Sequence, residues 1–209
     1  MHKLLKDQKY FLLISLFFIL LGGFILLFIE KGDVVIFLSR YHNVVLDLFF
    51  STITYLGDGA FVALVCIGFI IYNRYYGLLL VSLIVPNALL VQFLKRIVFN
   101  YPRPLKHLGE EFYVIVKYVT VHTDFSFPSG HSNAIFAMMF SLCILSKNTT
   151  FQIVVALLAV LTAVSRMYLY QHFLEDITFG ALLAIVLCTI LYHFIFQRTS
   201  LESKLKLPS

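Results

Sequence analysis

Long blocks of consecutive apolar side chains constrain this chain more than any other feature of its sequence. A helix of about 20 apolar residues spans the hydrocarbon core of a bilayer. Apolar residues make up 60% of the chain and charged residues 13%, and a water-soluble fold with that balance would leave too much apolar surface in contact with solvent. The sequence therefore predicts an integral membrane protein with an all-α fold.

Six apolar blocks predict a bundle of six transmembrane helices. They are residues 11–29, 60–72, 76–98, 132–145, 151–169 and 177–196. The second and fourth blocks are short by themselves and borrow flanking residues. The first block is long for a signal peptide and no small-residue cleavage site follows it, so it is predicted to remain as a span. No repeat or linker divides the chain, and residues 1–209 are predicted to form a single membrane-embedded domain.

Basic residues lie mostly at the ends of these blocks, and the net charge is +5. This placement follows the positive-inside rule and not a basic nucleic-acid-binding face, so no nucleic-acid partner is predicted. With six spans both termini share one side, which carries eight basic residues: Lys3, Lys6, Lys9, Arg74, Lys147, Arg198, Lys204 and Lys206. The other side also carries eight, four of which belong to the polar segments described next: Lys95, Arg96, Arg103 and Arg166. Leaving those four out of the count predicts cytoplasmic termini.

The three cysteines, Cys66, Cys143 and Cys188, all lie inside apolar blocks. None has the close spacing of a disulfide framework or of a metal site. They are therefore predicted to be buried thiols.

Three polar segments stand at the ends of apolar blocks. They read KRIVFNYPRP (95–104), FPSGHS (127–132) and SRMYLYQHFLED (165–176). Threading six spans through a bilayer brings all three segments to the same membrane face. We therefore expect them to form one site.

The third segment contains a histidine and an aspartate four residues apart, His172 and Asp176. On a helix this spacing puts both side chains on one face, where the carboxylate can accept the Nδ1–H of the imidazole and leave Nε2 as a nucleophile or base. Such a pair alone is also compatible with a purely structural hydrogen bond. Arg166 lies about 240° from His172 around a continuous helix. For both to meet one ligand, the chain must break near residues 168–171, with His172 opening the last span.

The other two segments add groups that suit an anion. Ser129 and Gly130 precede an apolar helix, whose free N–H groups and dipole favour negative charge, and Gly130 allows a ligand close to the backbone. A second histidine, His131, follows them. Arg103, flanked by prolines, and Lys95 or Arg96 supply cations. Such a set suits a tetrahedral oxyanion, of which phosphate is the common one.

Taken together, the three motifs resemble the type 2 phosphatidic acid phosphatase superfamily, membrane lipid phosphatases related to the vanadium haloperoxidases. The signature of that family is Lys, six residues and Arg-Pro; then Pro-Ser-Gly-His; then Ser-Arg, five residues, His, three residues and Asp. Residues 128–131 and 165–176 match the second and third motifs in full. The resemblance covers a motif core of residues 95–176.

The first motif departs from the family pattern. Seven residues separate Lys95 from Arg103, whereas six separate Arg96 from Arg103. Either Arg96 replaces the usual lysine, or Lys95 keeps the role across a one-residue insertion. Neighbouring side chains on a helix point about 100° apart, so we expect only one to reach the phosphate. We favour Lys95, because a loop before the prolines can absorb the extra residue.

The resemblance implies a role for each matching residue. His172 would attack phosphorus and become a phosphohistidine, with Asp176 orienting it. His131 would protonate the leaving oxygen and then deprotonate the hydrolytic water. The phosphate oxygens would be held by Lys95 or Arg96, Arg103, Ser129, the Gly130 N–H and Arg166. The family needs no metal, and no cofactor is predicted.

A metal-independent lipid phosphatase is therefore the expected function, with the substrate a phosphomonoester or pyrophosphate on a membrane lipid. Phosphatidate, phosphatidylglycerophosphate, undecaprenyl pyrophosphate and lipid A are the candidate substrates. The expected location is a bacterial inner membrane, with the site on its extracytoplasmic face. The alternatives are a lipid phosphotransferase that forms the same intermediate and a non-catalytic phospholipid-binding or transport protein.

The loop between the first two motifs, residues 105–127, is rich in Val, Tyr and Thr. Its composition predicts a small β-hairpin that covers the site. His122 and Asp124 in this loop, and Glu175 beside the third motif, are interpreted as solvated side chains.

Overall fold

A computed structural model describes residues 7–117 and 119–197, and it is built from helices. Its α-helices are α1 (Lys9–Ile25), α2 (Asp33–Ser39), α3 (Val44–Ile53), α4 (Gly59–Tyr72), α5 (Arg74–Phe93), α6 (Pro104–Leu108), α7 (Gly130–Leu145), α8 (Thr149–Tyr168) and α9 (Leu174–Tyr192). A 3₁₀ turn covers Thr54–Gly57, and π-helical turns cover Leu94–Phe99 and His193–Gln197. No β-strand occurs in the described ranges, so the predicted all-α class is confirmed and the predicted β-hairpin is wrong.

Several helices are long and apolar enough to cross a bilayer. Within the described part of the chain these are Arg74–Leu108, which combines α5 with the turns that follow it, then α8, and then α9 extended to Phe196. Helices α3 and α4 qualify as a pair that bends by 51°. Helices α1 and α7 are apolar but have only 17 and 16 residues. The six predicted blocks thus coincide with helices, while the exact number of spans stays a prediction.

Orientation in the membrane also stays a prediction. It depends in part on basic residues that lie outside the described ranges, namely Lys3, Lys6, Arg198, Lys204 and Lys206. The cysteines, in contrast, are confirmed as buried, unpaired thiols.

Helix α7 lies at the centre of the bundle and packs against α5, α8 and α9. Four consecutive residues in its middle, Ile135 to Met138, are at most 1% exposed, so α7 is enclosed all round. A helix in that position must be largely apolar on every face, which accounts for the mostly apolar sequence after PSGH. The enclosure also holds the first turn of α7, with His131, among the helices that carry the other motifs.

Two buried amides tie these helices together at the level of the site. Asn133 on α7 donates from Nδ2 to Oδ1 of Asn87 on α5 at 3.0 Å, and to the carbonyl oxygen of Gly180 on α9 at 3.3 Å. Both amides are at most 1% exposed. Because unpaired polar groups are costly in an apolar interior, this bonding favours one relative placement of α5, α7 and α9.

Candidate active site

The three polar segments meet at one end of the bundle. The backbone N–H of Ser129 donates to the carbonyl oxygen of Asp176 at 3.0 Å, which joins the second segment directly to the third. Arg103 of the first segment donates to the side chain of Gln171 in the third at 2.8 Å. Close packing reinforces the first of these links, since a Cβ at Gly180 would lie 2.7 Å from the carbonyl oxygen of Ser129.

The break predicted between Arg166 and His172 is present. Helix α8 ends at Tyr168 and α9 begins at Leu174. Between them Tyr170 takes a positive φ of 59°, and the amides of Gln171 and His172 both donate to the carbonyl oxygen of Arg166, at 2.8 and 3.1 Å. His172 therefore lies in the tight turn just before α9 and not in the helix itself. The turn brings Arg166 and His172 to the same side of the chain.

Asp176 gathers three donors on one carboxylate oxygen. Its Oδ2 accepts from the backbone N–H of Phe173 at 2.9 Å and from Oγ of Ser126 at 2.5 Å, and it lies 3.1 Å from Nδ1 of His172. The first of these bonds is the usual contact of an acidic residue in the first turn of a helix. With Nδ1–H held by the carboxylate, Nε2 of His172 keeps its lone pair.

Ser126 is a residue that the sequence reasoning missed. It is fully buried, and its hydroxyl has the same acceptor as the His172 imidazole. The only signal for it was its place two residues before the PSGH motif.

Burial and nearby positive charge both act on His172. The side chain is 1% exposed, and this burial, followed by the charges of Lys95, Arg103 and Arg166, holds the pKa of the imidazole well below its usual value near 6.5. The cause is direct, because a protonated ring would be an additional cation in a dry, already positive environment. The ring is therefore neutral at neutral pH.

The extra residue of the first motif is wound into a helix. Residues Leu94–Phe99 form a π-helical turn, in which the amide of Asn100 bonds to the carbonyl oxygen of Lys95 at 3.1 Å. A π-turn is the usual way for a helix to hold one additional residue. The expectation that a loop before the prolines would absorb the insertion is therefore wrong, since the widened helical turn already accommodates it.

Lys95 and Arg96 point in different directions from this turn. Lys95 is 6% exposed, and its Nζ lies 3.9 Å from where a Cβ of Gly130 would be. Arg96 is exposed, donates to Oε1 of Gln92 at 3.2 Å and lies over the ring of Phe125. Lys95 thus faces the PSGH motif. Arg96 instead lines a second recess, shared with Lys95, Arg103, His122 and Asp124, which we call the outer recess.

The two arginines have only part of their hydrogen-bonding capacity used within the described residues. Arg103 donates from Nε to the carbonyl oxygen of Asp124 at 2.9 Å and from Nη1 to Gln171, which leaves Nη2. Arg166 donates from Nη1 to Oγ1 of Thr54 at 2.7 Å, while its buried Nε has no partner there. Both arginine residues are at most 9% exposed. Such fixed, partly unsatisfied donors are suited to an oxyanion.

A cavity of about 600 Å³ opens in front of these groups. The predicted residues that line it are Lys95, Arg103, Gly130, His131 and Arg166. His172 and Ser129 are not among its lining residues, and they are 1% and 0% exposed. The hydroxyl of Ser129 accepts from the amide of Ser132 at 3.3 Å and thereby caps α7.

The described residues of the loop between α6 and α7 cover the cavity without forming strands. Gln171 donates from Nε2 to the carbonyl oxygen of Thr120 at 2.9 Å. The backbone amide of Arg103 donates to the carbonyl oxygen of Thr123 at 2.8 Å. His122 lines the cavity, where burial, then the charge of Arg103, lowers the pKa of its imidazole.

The two acidic residues that were interpreted as solvated both form ion pairs. Asp124 pairs with Lys106 at 2.6 Å, and Glu175 pairs with Lys31 at 2.9 Å. In the described ranges no group of three or more His, Cys, Asp or Glu side chains is arranged to hold a metal ion.

Comparisons with known proteins agree with this arrangement. The family model of the PAP2 superfamily matches residues 75–200. Among solved structures, Aquifex aeolicus LpxE is 26% identical, with a TM-score of 0.65 over 78% of this chain and 95% of that one. The first transmembrane PAP2-type phosphatidylglycerolphosphate phosphatase from Bacillus subtilis is 25% identical, with a TM-score of 0.61 over 91% of this chain and 98% of that one. No curated protein sequence gave a match.

Proposed function

Because this chain belongs to the PAP2 superfamily of membrane lipid phosphatases, we propose that it removes phosphate from a membrane lipid through a phosphohistidine formed on His172. Its class, a lipid phosphatase embedded in a membrane, follows from family membership and from the transmembrane PAP2 phosphatase that it resembles. The substrate and the intermediate are our proposals. One observation carries them, namely an Asp176-oriented imidazole close enough to the three cations that line the cavity for their charges to act on it.

The first chemical step is attack by Nε2 of His172 on phosphorus. A P–N bond forms and the P–O bond to the lipid breaks. The neutral ring supplies the lone pair, and Asp176 stabilises the positive charge that develops on it. Since the His172 side chain is only 1% exposed, the phosphate must settle among the cations so that phosphorus comes within reach of Nε2.

The cations stabilise the charge that spreads over the phosphoryl oxygens in the transition state. We assign this role to Lys95 Nζ, Arg103 Nη2 and Arg166 Nε, together with the backbone N–H of Gly130. Ser129 Oγ accepts from both the amide and the hydroxyl of Ser132, at 3.3 and 3.2 Å, and we assign its own hydroxyl proton to a phosphate oxygen. Arg96, which faces the outer recess, has no part in this set.

His131 is assigned the proton transfers. It lines the cavity from the first turn of α7. In the first step it gives a proton to the leaving lipid oxygen. In the second it takes a proton from water, which attacks phosphorus, releases inorganic phosphate and restores His172.

The hydrocarbon chains of the substrate have a path beside the cavity. Helix α3 contributes Ser51 to the cavity wall and, on its neighbouring face, Val44, Leu48 and Phe49 to an apolar groove of about 550 Å³. This arrangement supports a lipid whose phosphate enters the cavity while its chains remain along α3 in the bilayer. We propose a bacterial inner membrane, because this short chain resembles bacterial members of the family, and an extracytoplasmic site, because the charge pattern predicts cytoplasmic termini.

Phosphate release by the detergent-purified protein from a panel of phosphorylated lipids, without added metal, tests the proposal. Wild-type protein should release inorganic phosphate and His172→Ala should not, and vanadate should inhibit, because it mimics the five-coordinate state. Phosphatase activity that survives in the pure His172→Ala protein would reject the mechanism. Transfer of radiolabelled phosphate to a second lipid, without free phosphate, would favour a phosphotransferase.

A further inference from the structure

The bend between α3 and α4 lies against a residue that holds phosphate in the proposed mechanism. Arg166, near the end of α8, donates from Nη1 to Oγ1 of Thr54 in the 3₁₀ turn of this bend at 2.7 Å. The buried Nε of Arg166 has no partner among the described residues. The two residues are 112 positions apart, and Thr54 lies outside residues 75–200, the segment that matches the family model. Nothing in the three motifs indicates this contact.

The bend is itself fixed against the helices that carry the site. Thr162 on α8 donates from Oγ1 to the carbonyl oxygen of Ile53 at 3.4 Å. A Cβ at Gly57 would lie 2.9 Å from the carbonyl oxygen of His131 and 3.0 Å from Cγ2 of Thr162, so the bend packs closely on both α7 and α8. Thr54 is 8% exposed and lines the cavity. Its hydroxyl is therefore a fixed hydrogen-bond acceptor at the edge of the site.

This acceptor sets the orientation of the Arg166 side chain. A guanidinium group is planar and rigid, so a hydrogen bond to one nitrogen restricts the directions of its other N–H groups. With Nη1 held by Thr54, the free Nε–H of Arg166 has a defined direction before the substrate binds. Donors that are fixed beforehand stabilise a transition state without reorganising during the reaction. Threonine suits this task, because its β-branched side chain is stiff about χ1.

We propose that Thr54 is a positioning residue, which holds the guanidinium of Arg166 in the orientation that the phosphoryl transition state requires. A residue outside the family segment would thus support a phosphate-binding residue inside it. Thr54 is assigned no contact with the substrate and no proton transfer. This inference rests on the proposed function, because that function makes Arg166 a ligand of the phosphate.

Thr54→Val tests the hydroxyl with little change in side-chain shape, and Thr54→Ser restores the hydroxyl. We expect kcat to fall about tenfold in Thr54→Val, with KM changed by less than about threefold, since the oriented donor acts mainly in the transition state. The inhibition constant of vanadate, which mimics the five-coordinate state, should rise by a similar factor. Thr54→Ser should recover most of both losses. A smaller amount of folded enzyme would lower the measured kcat but leave the vanadate constant unchanged, so the second measurement separates positioning from stability.

The matched control is Thr189→Val. The Thr189 hydroxyl donates to the carbonyl oxygen of Ile185 within α9, and Thr189 is not among the residues that line the cavity. This variant should keep the wild-type kcat and the wild-type inhibition constant of vanadate.

Thermal unfolding in detergent, with and without vanadate, extends the test to variants that have lost activity, because a bound ligand raises Tm. Thr54→Val should reduce the vanadate-induced rise in Tm in the wild-type background and have no further effect in Arg166→Ala, since a positioning residue acts only through its partner. Equal reductions in both backgrounds, or a wild-type vanadate constant in Thr54→Val, would overturn the assignment. Absence of His172-dependent phosphate release from every lipid would instead reject the proposed function, so the two failures are distinguishable.

Discussion

Arg103 and Gln171, 68 residues apart in the chain, are joined by a buried hydrogen bond of 2.8 Å from Nη1 to Oε1. The same glutamine donates from Nε2 to the carbonyl oxygen of Thr120 in the covering loop. Gln171 thus hydrogen-bonds both to Arg103, a proposed phosphate-binding cation, and to the loop between α6 and α7. It directly precedes His172 in the chain. Nothing in the motif pattern had marked it.

Gln171→Glu should weaken phosphate binding. The new carboxylate would neutralise Arg103 and repel the substrate, so we expect KM and the inhibition constant of vanadate to rise at least about tenfold, with a smaller rise in Gln171→Ala. Steady-state kinetics on both variants check this. Gln152→Glu is a matched control, since Gln152 also accepts a donor on Oε1 and donates from Nε2 to a backbone carbonyl, but at the far end of α8. Unchanged vanadate inhibition in Gln171→Glu would contradict the role.

Ser126→Ala should lower kcat roughly tenfold and leave KM close to that of the wild type. The hydroxyl donates to the oxygen of Asp176 that orients His172, and a hydrogen bond to a charged group contributes about 1.5–3 kcal/mol. Ser141→Ala serves as the control, because Ser141 is equally buried but bonds only within α7. A parallel loss of activity in both variants would point to general destabilisation.

Lys95→Ala and Arg96→Ala should have very different effects. Loss of a fixed donor to the transition state typically costs about 10²–10³ in kcat, and we expect that loss for Lys95. Arg96 faces the outer recess, so its removal should change kcat/KM by less than about threefold. Initial rates on one substrate are sufficient to compare them. The reverse order of effects would transfer the role to Arg96.

Stability should fall as the pH is lowered below about 6.5. An imidazole in the unfolded chain takes up a proton near that pH, whereas the pKa of His172 in the folded protein is well below it, so the unfolded state binds the additional proton. The decrease in Tm between pH 8 and pH 5.5 should be smaller in His172→Gln than in wild type. Thermal unfolding in detergent, without phosphate, measures it. Identical decreases would mean that His172 is not held neutral.

Gly180→Ala should reduce activity although it removes no functional group. The added Cβ would meet the carbonyl oxygen of Ser129 at 2.7 Å and displace the PSGH turn from α9. Gly23→Ala is the control, since a Cβ there has no neighbour within 4 Å. Phosphatase assays beside thermal unfolding distinguish displacement of the site from loss of the fold. Full activity in Gly180→Ala would show that the contact tolerates movement.

The positions of the helices and of the motif residues were accessible from the sequence, because bilayer thickness and motif spacing restrict them strongly. The break before His172 followed from the angle between Arg166 and His172 on a helix. The partners of these residues were not accessible. Ser126, Thr54 and Gln171 reach the site through turns and helix packing, and no period or spacing in the chain encodes such contacts.

The covering loop shows the limit of composition as a predictor. Its Val and Tyr content indicated a hairpin, but β-propensity is mostly a preference for packing on a pleated, half-buried surface. Here Val116 instead packs on Tyr168 and Leu169 at the end of α8. The loop takes its hydrogen bonds from Arg103 and Gln171, which replaces the pairing that a strand would need.

The widened turn at residues 94–99 has a consequence for recognising distant members of this protein group. The family spacing of six residues before Arg-Pro identifies Arg96, whereas the basic side chain that lines the cavity is that of its neighbour Lys95. An insertion accommodated inside a helix changes the number of residues between two motif positions, but it leaves the motif side chains at the same positions in the structure. Pattern searches that demand a rigid gap would discard such chains, whereas a comparison of backbone geometry would retain them.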